Sequence, residues 1–102
     1  MNIEKVCTTL KELEDFLQSC GEEYSSILSK HRRTLEQYIT DPGKYPFPLE
    51  TISELKKHAF GGMGSLNDLW LSKENGHTLD DESSANEKLD ELRERLKDAL
   101  RT

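Results

Sequence analysis

Ile3, Val6, Leu10, Leu13, Leu17 and Cys20 are spaced 3-4-3-4-3 along the chain. An α-helix returns side chains at those intervals to one face, whereas a strand would divide them between two, so the spacing predicts an amphipathic helix at the N-terminal end. Phe16 widens its apolar stripe, and Gly21 stands where a helix C-cap belongs. Such a stripe is stable only when other elements cover it. Tyr24, Ile27, Leu28, His31, Leu35, Tyr38 and Ile39 share one face of a second predicted helix, which Asp41-Pro42-Gly43 stops. The short interval between the two helices predicts an antiparallel hairpin.

Lys44-Tyr45-Pro46-Phe47-Pro48 is too rich in proline for a helix or a strand interior and reads as an ordered connector. A third helix is predicted from near Pro48, turning Leu49, Ile52, Leu55 and Ala59 or Phe60 inward, and the glycines from Gly61 end it. Ser65 and Asp68 then have the spacing of a capping box, which predicts a short helix with Leu66, Leu69 and Trp70 facing the core. A hairpin across Asn75-Gly76, pairing Leu69-Trp70-Leu71 with His77-Thr78-Leu79, competes with that reading. The helix is favoured because neither candidate strand is rich in β-branched residues. A last helix, with Ser84 and Glu87 marking its start, is predicted to bury Ala85, Leu89, Leu92, Leu96, Ala99 and Leu100. The expected architecture is an all-α bundle of four to five helices forming one domain over residues 1–102, with a Gly-rich loop before a short helix.

Charge narrows the function classes. Asp and Glu outnumber Lys and Arg by 20 to 14, giving a formal net charge of −6, which disfavours phosphate-backbone binding and favours a cationic partner. No apolar run approaches membrane-spanning length and the N-terminus has no apolar signal core, so a cytoplasmic protein is expected. Cys7 and Cys20, on one helix, lie about 20 Å apart along its axis, beyond disulfide reach, which predicts two reduced thiols.

Gly61-Gly62-Met63-Gly64-Ser65 lacks the Walker spacing and its Lys, and Asp68 nearby opposes a phosphate. His31, His58 and His77 have no paired ligand spacing, and neither cysteine has a second ligand three or four residues away, so no metal or cofactor and no catalytic residue is expected. The structural reading of the loop is that its glycines supply positive φ angles or close backbone packing while Ser65 caps the next helix and Trp70 fills the core. The functional reading has the loop present Met63, Asn67 and Asp68 to a partner. Acids gather in the C-terminal part: Glu87, Asp90, Glu91, Glu94 and Asp98 share a polar flank of the last helix and join Glu74 and Asp80-Asp81-Glu82. After residue 60 there are ten acids against six bases. That concentration reads either as a solvated face or as an electrostatic docking surface for a basic protein.

The segment from Phe60 to Leu69 resembles a family of small bacterial proteins of uncharacterised role that carry a Gly-Gly-Met-Gly-Ser, Asn-Asp-Leu core followed by a Leu/Arg-rich helix. The resemblance covers about the last 45 residues and marks Gly61, Gly62, Gly64, Asn67 and Asp68 as motif positions without assigning them a catalytic role. In size, acidity and helical character the chain is also similar to immunity proteins of bacterial contact-dependent growth inhibition. That likeness implies a non-enzymatic protein that neutralises a cognate toxin, most plausibly a basic nuclease, by occluding its active site. The residues expected to contact the partner are Met63, Asn67, Asp68, Glu74, Asp80, Asp81, Glu82, Glu87 and Glu91, with Trp70 as their support. A small regulatory protein-interaction domain is the alternative, and a ligand-binding or catalytic pocket at the glycine loop is a third reading.

Overall fold

A computed structural model describes residues 1–101 and is all-helical among them. Four α-helices follow in order, α1 (Ile3–Ser19), α2 (Ser25–Thr40), α3 (Leu49–Phe60) and α4 (Glu82–Leu100), with one 3₁₀ turn, Leu66–Asp68, between the last two. The four- to five-helix bundle read from the periodicities is thus present, with the Gly-rich loop placed before the short element. The molecule is elongated, 46 × 22 × 18 Å, because the long α1 lies against both α2 and α4.

α1 starts where Asn2 caps it, the Asn2 side chain accepting the Lys5 amide at 3.1 Å. It ends in a Schellman motif at Gly21, with the Glu22 amide donating to the Leu17 carbonyl at 2.9 Å and the Gly21 amide to the Gln18 carbonyl at 3.0 Å. Val6, Leu10, Leu13 and Leu17 are buried between the flanking helices, meeting Leu28 and Leu35 of α2 and Leu89, Leu92 and Leu96 of α4 in one continuous core. Glu14, on the same helix, is buried as an anion only because Arg32 of α2 donates to it from Nε at 2.6 Å. The other end of the Arg32 guanidinium holds Glu36 at 2.7 Å. On the opposite side Arg95 of α4 grips both carboxylate oxygens of Glu12, at 2.7 and 3.1 Å.

Four sequence expectations change in detail. Ile27 is exposed, since Leu28, about 100° further round α2, takes the inward position. Leu49 is 70% exposed rather than inward, because the first residue of α3 lines a surface cleft with Tyr38, Tyr45 and Phe47. α4 begins at Glu82, ahead of the expected Ser84, because Asp81 is its cap, accepting the Ser83 amide at 3.2 Å and the Ser84 hydroxyl at 2.6 Å. Ser65 makes no cap hydrogen bond, so the predicted capping box is absent and the helix it was to start reduces to a single 3₁₀ turn. The competing hairpin does not form either. The amides of Asn75, Gly76 and His77 close a compact turn on Ser72 and Lys73, and the Thr78 amide donates to the Cys20 carbonyl at 2.9 Å.

Gly61 ends α3 against its own last turn. A Cβ placed there would stand 2.3 Å from the Lys57 carbonyl oxygen, a backbone atom that cannot give way alone. Gly61→Ala is expected to cost about 1–3 kcal/mol of stability. Gly43→Ala, where the added carbon meets nothing nearer than 3.8 Å, serves as the control and is expected to be neutral or slightly stabilising. Paired urea melts of the two variants check this, and equal midpoints would refute it.

Candidate functional site

The chain from Gly61 to Asp81 has almost no regular structure, so each buried polar group of its backbone requires a specific partner. Side chains of α4 supply several of them. Asn86, buried on α4, accepts the Leu71 amide on Oδ1 at 2.9 Å and returns Nδ2 to the Leu71 carbonyl at 2.8 Å, pairing with that peptide as a neighbouring strand would. Arg93 donates from Nη1 to the carbonyls of Leu66 and Leu69 at 3.0 and 3.1 Å while Asp90 holds its Nη2. His77 completes the frame. Its Nδ1 lies 3.0 Å from the Ser72 amide and 3.1 Å from the Ser72 carbonyl oxygen, and its Nε2 meets Glu22 at 3.0 Å.

This frame overturns the expectation that Trp70 fills the core. Leu66 and Leu71 are fully buried anchors, and the backbone between the 3₁₀ turn and Leu71 is extended at Leu69. Successive side chains of an extended segment point to opposite sides, so with Leu71 inward Trp70 is directed out and is 59% exposed. Leu69 and Leu71 around a lone Trp were the sequence signal for this alternation. The helical reading of the segment concealed it.

Outward Trp70 forms one wall of a groove of about 630 Å³ that is also lined by Ser72, Lys73, Glu74, Asn75, Asp80, Asp81 and Glu82. Four carboxylates therefore meet one lysine in it. None of the four makes an ion pair among the described residues. Two of them are nevertheless fixed: Glu82 accepts the Lys73 amide at 3.2 Å, and Asp81 is held by the α4 cap. The hydroxyl of Ser84 and then the amide of Ser83 hold the Asp81 carboxyl below the usual carboxylate range, and the positive end of the α4 dipole favours the same charge state. The groove is a preformed anionic surface with an aromatic wall.

The other expected contact residues lie elsewhere. Glu87 and Glu91 line a smaller cleft of about 300 Å³ with Glu12, Lys88 and Arg95, where two cations stand among three acids. Met63, 98% exposed, projects from the loop in which Gly62 and Gly64 have φ of +109° and +82°. Asn67 and Asp68 are exposed beside that loop, with Asp68 accepting the Gly64 amide at 3.4 Å. These three line neither cleft. Glu74, Asp80, Asp81 and Glu82 are thus the expected residues that the fold brings together. Trp70, Ser72, Lys73 and Asn75 join them without having been singled out as contacts.

Other candidate chemistry is unfavourable. Burial, followed by the charge of Glu36, pushes the Cys7 thiol up to about 11, so it stays protonated and a poor nucleophile at neutral pH. Cys20 is buried and also free. No three His, Cys, Asp or Glu side chains converge as a metal set among the described residues. No helix among them is long and apolar enough to cross a membrane.

Fold and groove together define a small all-α domain with an acidic surface cleft. Residues 18–80 match the family model described as Domain of unknown function (DUF6966), more than half of the chain, and the protein belongs to that family. The matched stretch runs from the end of α1 through the Gly-rich loop to Asp80 in the groove wall. No curated protein and no solved structure matches the chain.

The Asn86 pairing makes the groove wall dependent on one amide. Asn86→Ala leaves the buried Leu71 N–H and C=O without their partner and is expected to cost about 2–3 kcal/mol. In a chain of this size that lowers the melting temperature by roughly 10 °C or more. A melting temperature within a degree or two of the parent would show that water replaces the amide.

Proposed function

We propose that the protein is a non-catalytic immunity protein that acts in the cytoplasm and binds a basic toxin domain through the groove beside Trp70. The observation that carries this reading is the juxtaposition of four carboxylates free of ion pairs with an exposed Trp on a rigidly tethered wall. Carboxylates that are already fixed and unneutralised attract a cationic surface and orient it during encounter. An exposed Trp contributes a large apolar contact and a π-face on which a guanidinium or ammonium can stack. Arg and Lys that hold phosphates in a nuclease fit both elements, so occupying the groove would withdraw them from substrate. In this reading the Met63 loop and the Glu87–Glu91 cleft are peripheral contacts, and Trp70 is a contact rather than a support.

Trp70 is the chain's single Trp, so its emission reports on the groove directly. An arginine-rich peptide serves as the probe. Its titration is expected to shift Trp70 emission, with binding weakening several-fold between about 50 and about 200 mM salt. Asp80→Lys is expected to weaken the complex about tenfold or more while leaving the melting temperature close to that of the parent. Capture from lysate of the cells that make the protein, using parent and Asp80→Lys side by side, extends the test to the natural partner. A basic toxin domain retained by the parent and lost by the variant supports immunity. An unshifted emission in the presence of the peptide, or a partner whose retention ignores the substitution, rejects the groove as the docking site.

A further inference from the structure

His31 on α2 and His58 on α3, twenty-seven residues apart in sequence, meet with Nε2 of the first 2.9 Å from Nδ1 of the second. Their rings are 5.1 Å apart between centroids and inclined by 31°. A contact of this kind needs one N–H and one lone pair, so the two rings share a single proton between the facing nitrogens. His31 is only 5% exposed, and water cannot readily take over its half of the bond. We propose that this pair is a proton-operated latch: with one proton it fastens α3 to α2, and with both rings protonated it releases α3 together with residues 61–68.

The second proton removes the lone pair that makes the bond and sets cation against cation at contact distance. Burial, then the charge of His58, already holds the His31 ring below its ordinary value. The remaining charged groups around the pair do not cancel that effect. Glu54 of α3 favours the cation, Lys30 of α2 opposes it, and Glu22 stands in the α1–α2 turn near Tyr24. The buried charges of α1 and α4, Glu14 and Arg93, are engaged by Arg32 and Asp90.

The latch sits where α3 is otherwise lightly fastened. α3 buries just Ile52, Leu55 and Ala59. Its last turn is tied to the start of α2 by the Tyr24 hydroxyl, which donates to the His58 carbonyl. Residues 61–64 then run exposed to the buried Ser65 and Leu66. Release of His58 therefore loosens the last turn of α3 and the exposed residues that follow it, while the Glu14–Arg32 and Glu12–Arg95 pairs keep α1, α2 and α4 together.

The sign follows from proton linkage. A histidine harder to protonate folded than unfolded leaves stability intact above the unfolded value, near 6.5. Stability is lost as pH falls through that value and levels off once the folded form also takes the proton. Amide-exchange protection of the full chain, corrected for the intrinsic pH dependence of exchange, provides the test. Between about pH 6.5 and 5.5 the protection of residues 49–68 is expected to fall up to about tenfold for each proton taken up on opening, with α1 and the middle of α4 unchanged. His58→Asn places an amide near the former Nδ1, and His31→Gln places one near the former Nε2, so each keeps a hydrogen bond and removes one charge. Both are expected to flatten the pH dependence in residues 49–68. The pH at which the His31 ring shifts by NMR should also rise in His58→Asn. A pH-independent protection of α3, or an unaltered slope in both variants, which retain His77, overturns the latch.

Discussion

The pairing of Asn86 with the Leu71 peptide is the constraint on which the functional surface rests. A segment of twenty-one residues, 61–81, contains only one turn of regular helix yet must cross a dry interface at Leu66 and Leu71. Unpaired backbone at those points would offset much of what the two leucines contribute, since an unsatisfied buried amide or carbonyl forfeits about 1–3 kcal/mol. α4 resolves the conflict by projecting polar side chains from its otherwise apolar face. Asn86 imitates a neighbouring strand at Leu71, and Arg93, about two turns further along α4, gathers two carbonyls nearer the Gly loop. Trp70 faces outward because Leu71 is locked inward, so the exposed aromatic follows from a buried amide on another element.

The helices were legible because burial of an α-helix leaves a periodic record. Leu10, Leu13 and Leu17, Leu28 and Leu35, Ile52 and Leu55, and Leu89, Leu92 and Leu96 are all buried where their spacing places them. The record fails at helix ends, where an inward register position has no neighbour to meet, and Leu49 shows this. It fails wholly in the irregular segment. There apolar residues are spaced by contacts with α4, and those contacts depend on an Asn and an Arg that look like ordinary surface residues of a charged helix. Asn86 and Arg93 carry no local signature of burial. The acids of the groove were legible as a cluster, but their union with Trp70 was not, because it required knowing which way residue 70 points.

Acid count alone would not have separated this groove from the rest of a chain with net charge −6. The gathering of four acids without ion pairs into one cleft beside an exposed Trp separates it. Glu14, Glu36, Glu12, Asp90, Asp98 and Asp15 are engaged by Arg32, Arg95, Arg93, Arg101 and Lys11, and these pairs tie helices together or neutralise exposed faces. Glu74, Asp80, Asp81 and Glu82 face a single Lys73 without an ion pair, and Asp81 and Glu82 are held by amides and a hydroxyl instead. Hydrogen bonds from neutral donors fix a carboxylate without cancelling its charge. A surface built this way keeps its field for a partner, whereas an equal number of salt-bridged acids would present almost none.

The same distinction explains why polar groups recur in so small a core. Asn86 and Arg93 are satisfied at Leu66, Leu69 and Leu71 by carbonyls and an amide that do not titrate in the physiological range. The His31–His58 contact uses two groups that do titrate, and its hydrogen bond exists only while one of the facing nitrogens is unprotonated. The two designs sit on either side of the Gly-rich loop, one fastening the chain after it to α4 and the other fastening α3 before it to α2. Residues 61–64 are thereby the joint between these two fastenings. Positive φ at Gly62 and Gly64 suits a joint, because residues lacking a Cβ can change backbone angles there without the steric penalty that any other side chain would bring.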